Sequence, residues 1–228
     1  MRKVSLLLSA FCVLTSLPVS ASTLHWDGLG TGLGGAHNTP PTSGVGYGLP
    51  YFYRWSAEIV FDQVTGVPGY AGGPLVTFCL EYDEPLYGEN NFNAAISSAA
   101  VKGGLSGQTL PDYDPLSEES AWIYDQYAAG NTFGISDANQ RAAAAQEAIW
   151  SFEGELVNPF QYAGTSGIKA AAGTAVLGGW KNTTISVLNL TWASTGQDGQ
   201  DVLIQIPEPM SLTLLALGAI VAHRRRRA

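Results

Sequence analysis

Leu75-Val76-Thr77-Phe78-Cys79-Leu80-Glu81-Tyr82 is the stretch on which the fold turns. Its β-branched, aromatic and leucine residues lie between Gly72-Gly73-Pro74 and Glu84-Pro85, punctuation that predicts one β-strand. Side chains alternate along a strand, so Val76, Phe78 and Leu80 take one side and Thr77, Cys79 and Glu81 the other. Upstream, Tyr51 to Val64 is aromatic and β-branched and is followed by a turn around Pro68-Gly69. Downstream, Asp114-Pro115 reads as a helix opening, the carboxylate as cap and the proline in the first position. That helix runs through Ala121-Trp122-Ile123-Tyr124 to about Ala129, where Gly130 stops it. A second helix opens at Asp137, with Gln140 three residues on in capping-box position, and continues through Ala142 to Ala145 until Gly154. Thr184 to Trp192 and Asp201 to Ile206 return to strands. Strands flanking a central helical section, without regular alternation, predict an α+β domain.

On the second helix Ala142, Gln146, Ile149 and Trp150 recur at helical spacing, which puts Gln146 on the face turned to the core. A buried amide left without partners costs about 1–3 kcal/mol. Two uses of Gln146 stay open. It can hydrogen-bond buried backbone, or its carbonyl carbon can be bonded to the sulfur of Cys79, with ammonia expelled. A thiolate is a strong nucleophile, but an unactivated amide resists it. The second use therefore needs a fold that holds sulfur against carbonyl and stabilises an oxyanion. It also needs shielding from water, for which Phe78, Trp150, Phe152, Trp122 and Tyr124 are candidates, although core aromatics need no such role.

The two ends carry targeting information. Met1-Arg2-Lys3, the apolar run Val4 to Val19 and the small residues of Val19-Ser20-Ala21 form a secretory signal peptide, residues 1–21, removed by signal peptidase. Cys12 leaves with it, so Cys79 is the one cysteine of the mature body. Oxidising compartments use cysteines in pairs. A lone exported thiol is buried and inert, paired with another chain, or chemically committed. At the other end Pro207-Glu208-Pro209 precedes an apolar run of thirteen residues, 210–222, and then His223 and Arg224, Arg225, Arg226 and Arg227. That run is short against the roughly 17–25 residues of a membrane-spanning helix. The arginines would hold the C-terminus on the cytoplasmic side.

Residues 22–206 hold five basic residues against eighteen acidic ones, a net of −13. Such a body lacks the clustered Lys and Arg that phosphate binding needs, which argues against nucleic acid and against an anionic membrane surface. It is compatible with divalent cations or cationic partners, and also with a merely solvated acidic surface. Residues 22–50 read as a Gly-rich surface segment. Glu81, Asp83, Glu84, Asp112 and Asp114 sit in short acidic groups without a complete calcium-loop pattern, and read as solvated turns. His25 and His37 have no partner at zinc-ligand spacing and read as surface residues. Glu119 and Glu153 are a carboxylate pair of the kind glycoside hydrolysis uses, but nothing selects them. No serine elbow, phosphate loop or dinucleotide fingerprint occurs, and no cofactor is expected.

Two resemblances build on these residues. Pro207-Glu208-Pro209, the short apolar helix and the arginine cluster, residues 207–228, resemble the PEP-CTERM sorting signal of Gram-negative, biofilm-forming bacteria. That resemblance implies exosortase processing, a transient anchor in the inner membrane, and release to the cell surface or extracellular matrix. Phe78-Cys79-Leu80-Glu81 on a strand, with Gln146 followed by Ala148-Ile149-Trp150 on a helix, resembles the thioester domain of bacterial surface adhesins. It implies a thioester-type domain over residues 51–206, with Cys79 as thiol partner, Gln146 as acyl partner, and Phe78, Ile149 and Trp150 in support. Many members of that family carry threonine before the glutamine, where this chain has Ala145, and most sit on Gram-positive walls. The function so implied is single-turnover covalent attachment to an amine on a surface or matrix partner, not enzymatic turnover. The alternative is a noncovalent structural protein of the exopolysaccharide matrix with Cys79 simply buried. A weaker third is a glycan-active enzyme using carboxylates.

Overall fold

A computed structural model describes residues 22–29, 58–82, 86, 91–101, 113–155 and 162–206. The signal peptide, His37, Asp83, Glu84, Asp112, Pro207 to Pro209 and Arg224 to Arg227 lie outside them. In chain order the elements are β1 (Ser22–Leu29), β2 (Ile59–Thr65), β3 (Leu75–Thr77), β4 (Asn91–Ser97), β5 (Ala99–Ala100) and β6 (Asp114–Pro115). They continue with α1 (Glu118–Ala128), α2 (Ala138–Phe152), α3 (Thr165–Leu177), β7 (Ile185–Trp192) and β8 (Val202–Gln205). The mixed helix-and-strand class expected from the sequence is present, with helices between two groups of strands.

Six strands form an antiparallel sheet in the order β3-β2-β1-β4-β7-β8. The sheet curls until its two edges meet. β3 pairs with β2 as far as Thr77, opposite Ile59. Beyond it Leu203 N–H donates to the Phe78 carbonyl (3.2 Å), Leu80 N–H donates to the Asp201 carbonyl (2.9 Å), and Cys79 faces Val202. The Thr77 hydroxyl donates to the Leu203 carbonyl (2.5 Å) across the same seam. Edge-to-edge pairing of this kind removes the unpaired backbone of both edges at that point.

Alternation along the strands supplies two cores. Phe78, Leu80, Ile185, Val187 and Leu203 face the helices, where they pack with Ile123, Tyr124, Ala144, Ala145, Ala148, Ile149 and Ile168. Cys79, Leu188, Leu190, Val202 and Ile204 turn the other way, to Leu24, Ile59, Phe61 and Phe92 inside the curled sheet. The expected division of Phe78 and Leu80 from Cys79 is what the chain adopts. Helix α2 is buried along its whole length from Ala142 to Trp150. Its alanines let neighbouring elements approach closely, and Trp150 reaches into the inner core.

Three sequence expectations need correction. Asp114-Pro115 does not open α1. It pairs with Ala99–Ala100 as a two-residue ladder, and Ser117 is the cap, its hydroxyl accepting from Ser120 N–H at 3.1 Å. A serine three residues later offers the same acceptor, while the Asp-Pro backbone stays extended and pairs instead. Secondly, residues 22–29 do not belong to a surface segment. They form β1, between β2 and β4, because Thr23 and Leu24 pair with neighbours on both sides. Thirdly, the last third holds α3 before its strands. The opening of α2 matches expectation, Asp137 accepting from Gln140 N–H at 2.8 Å, and Gly130 and Gly154 close α1 and α2 with φ of +83° and +78°.

Candidate functional site

Cys79 sits where its strand changes partner. The ladder to β8 uses the Phe78 carbonyl and the Leu80 N–H, so the N–H and carbonyl of Cys79 point to the opposite side. Pairing with β2 has already ended at Thr77. Gln146 fills the vacated edge. Cys79 N–H donates to Gln146 Oε1 (2.8 Å), and Gln146 Nε2 donates to the Cys79 carbonyl (2.8 Å). One side-chain amide thus replaces a strand, clamped at both ends by a single residue. Gln146 is fully buried and Cys79 carries a buried free thiol.

The clamp brings together the two residues the sequence singled out. It positions the Gln146 amide carbon against the residue that bears the sulfur. The Cys79 N–H lies on the carbonyl oxygen, where it polarises the amide and where charge would develop in a tetrahedral intermediate. The same two bonds also satisfy a buried glutamine, and so serve the structural use of Gln146 equally well.

Burial pushes the Cys79 thiol well above its usual range, and the Glu81 carboxylate pushes it further. Its own backbone N–H opposes the two weakly. The thiol is therefore protonated at neutral pH, and a sulfur that attacks must lose its proton as the new bond forms.

Around the pair lies a buried polar group, one member of which, Glu81, the sequence reading placed in a solvated acidic turn. Glu81 is 3% exposed, and its Oε2 accepts from Asp201 N–H (3.3 Å). The Gln200 side-chain amide donates to the Glu81 carbonyl. Asp201 is 1% exposed and accepts from Val101 N–H (2.6 Å), Asn189 Nδ2 (2.9 Å) and Leu190 N–H (3.3 Å). Burial raises its pKa to about 6 against those stabilising donors. The sequence signals for Glu81 were its place two residues after Cys79 and its membership of the Phe78-Cys79-Leu80-Glu81 motif. Asp201 gave none.

The supporting residues divide between the two cores. Phe78 and Ile149 lie on the helix side, whereas Trp150 shares the inner core with Cys79. Tyr82, unremarked in the sequence, sets its ring edge against Trp150 at 4.9 Å. The Tyr82 N–H donates to Glu155 Oε2 at 3.1 Å. Trp122 packs on Phe133, Tyr124 on Phe78, and Phe152 lies beneath Lys169. Those three expected shields thus have other neighbours.

The remaining candidates are occupied elsewhere. His25 Nδ1 lies 2.8 Å from Asp62. Glu153 accepts from the Ser117 hydroxyl (2.6 Å) near the start of α1, and Asp114 is half-buried in β6. Among the described residues no three His, Cys, Asp or Glu side chains are arranged to hold a metal. No described helix is long and apolar enough to cross a membrane. Comparison with protein-family models, with curated proteins and with solved structures gives no match.

Proposed function

We propose that this chain is an exported surface or matrix protein whose domain forms an internal thioester between Cys79 and Gln146 and attaches covalently to a partner amine. The observation that carries the reading is the clamp, with both polar atoms of the Gln146 amide held on the Cys79 backbone. In the reaction the Cys79 sulfur bonds to Gln146 Cδ and ammonia leaves. An incoming amine then takes the acyl group, forming an amide at Gln146 and restoring the Cys79 thiol. Each molecule reacts once, so the chemistry is attachment and not turnover. The sorting-signal resemblance at residues 207–228 supplies the location: export across the inner membrane, exosortase processing, and residence at the surface or in the extracellular matrix.

Thiol titration of the exported protein tests this reading. In denatured, unreduced protein the Cys79 thiol should be blocked to alkylating reagents and released by hydroxylamine or methylamine. A thiol that titrates fully on unfolding, together with unmodified glutamine at 146, would rule the bond out. The protonated, buried thiol and the fully satisfied amide favour a second reading, a noncovalent matrix component in which Gln146 is a structural pin. Free thiol on unfolding is what that reading requires.

A further inference from the structure

The two bonds of the clamp fix which hydrogen of the Gln146 amide is in use. Cys79 N–H donates to Oε1 and Nε2 donates to the Cys79 carbonyl, each at 2.8 Å, so the amide oxygen and the donated hydrogen face one residue from the same side. An amide nitrogen has a single hydrogen position on that side, the one cis to the oxygen. In a primary amide a hydrogen occupies it. A secondary amide in its ordinary trans form carries its carbon substituent there and turns its hydrogen away. Only the disfavoured cis form would return the hydrogen to Cys79. Gln146 has little freedom to evade the conflict, because both residues are buried and α2 is packed from Ala142 to Trp150.

Resting on the thioester reading above, we propose that the Cys79 carbonyl makes the site distinguish ammonia from carbon-bearing amines: ammonia resets the clamp, and any other amine is captured at the clamp's expense. When ammonia attacks, its lone pair bonds to Cδ, the Cδ–Sγ bond breaks with its electron pair on sulfur, and one nitrogen proton passes to sulfur. The products are the primary amide and the thiol, and both hydrogen bonds to Cys79 form again. When a primary amine attacks, the same bonds change, but the new carbon falls against the Cys79 carbonyl. Gln146 then withdraws, leaving that buried carbonyl without its donor, or holds a cis amide. Reset and attached proteins both carry the free thiol, and differ in how the chain is held at Cys79.

The test uses the full wild-type chain purified without ammonium salts, then held in heavy-nitrogen ammonium chloride or in methylammonium chloride at one concentration and pH. Peptide mapping reads the group at position 146. Urea unfolding and hydrogen exchange at the Cys79 N–H read the clamp. Ammonium should return glutamine carrying the heavy nitrogen. The methylamine-opened protein should unfold at lower urea and exchange the Cys79 N–H on the order of tenfold faster than the ammonium-opened one. Coincident midpoints with exchange within about two-fold overturn the proposal and leave the thioester standing. A methylamide at 146 with no uptake of heavy nitrogen from ammonium overturns it as well. An untreated chain that has lost no ammonia removes the bond itself, and the proposal with it.

Discussion

Replacing Cys79 by alanine separates the covalent from the structural use of the clamp by the size of its effect. On residue 79 the clamp uses only backbone, so the alanine variant, its Gln146 amide intact, keeps both 2.8 Å hydrogen bonds, whereas a thioester has lost the one from Nε2 with its ammonia. If sulfur is only buried, its loss removes a small apolar group and costs about 1 kcal/mol. If sulfur is bonded to Gln146, the variant also loses a crosslink between residues 67 apart in sequence. In the chain-entropy description a closed loop of that size stabilises by about 4 kcal/mol, because it restricts the unfolded chain. The two cases thus differ by about 3–4 kcal/mol, well beyond the error of a urea titration. Urea unfolding of wild type and Cys79→Ala, without reductant, makes the comparison. A third sample, wild type opened by methylamine, should lose most of the same stability, since it keeps the sulfur and lacks the crosslink. A Cys79→Ala cost of about 1 kcal/mol, with no effect of methylamine, would refute the reasoning.

Other consequences follow from the same geometry. Asp201 has a folded pKa of about 6 against an ordinary 3.8, so the folded state holds that proton more tightly than the unfolded chain. Its contribution is fully present below the unfolded value and is lost as pH rises through about 6, a change on the order of 2–3 kcal/mol. Burial raises Glu58 and Glu153 in the same direction. The urea midpoint should therefore be higher near pH 5 than near pH 8 on the strength of these groups, and a midpoint falling steadily toward acid would contradict the assignment. Glu147→Ala should cost about 2–4 kcal/mol, because its Oε2 accepts from Tyr162 N–H (3.1 Å) and the Thr165 hydroxyl (2.7 Å) at the start of α3. Hydrogen exchange should quicken first in that helix. Gly164→Ala should cost more than about 1 kcal/mol, read from the urea midpoint, since its φ is +103° and a Cβ would lie 2.4 Å from Ile135 Cδ1.

What the sequence disclosed depended on whether a signal was local. The strand expected over Leu75 to Tyr82 was legible only in part: β3 ends at Thr77, Cys79 makes a single bridge to Val202 and the chain bends at Leu80, although Phe78, Cys79 and Leu80 still alternate between the two cores. Gln146 was legible because its stripe-mates Ile149 and Trp150 are large and apolar. The ends of α2 were legible because Asp137 and Gly154 act within one turn. Helix α3 was not, because its first turn is capped by Glu147 from another helix and its own cap is a glycine with no side chain to signal it. Strand β4 carries a single large buried residue, Phe92, among asparagine and alanine, too little for a period-2 pattern to show. The seam between β3 and β8 joins residues more than a hundred positions apart, as with Thr77 and Leu203. No local pattern encodes it, yet that seam is what turns the Cys79 backbone toward Gln146.

The intact mass of the chain beside its Cys79→Ala and Gln146→Ala variants tests the central claim most directly. Processing at the ends is common to all three and cancels in the comparison. The thioester account predicts a wild type lighter than its calculated mass by one ammonia, both variants at full mass, and a gain of one methylamine on treatment with that amine. Wild type at full mass, with a titratable thiol and an unmodified glutamine at 146, would contradict it.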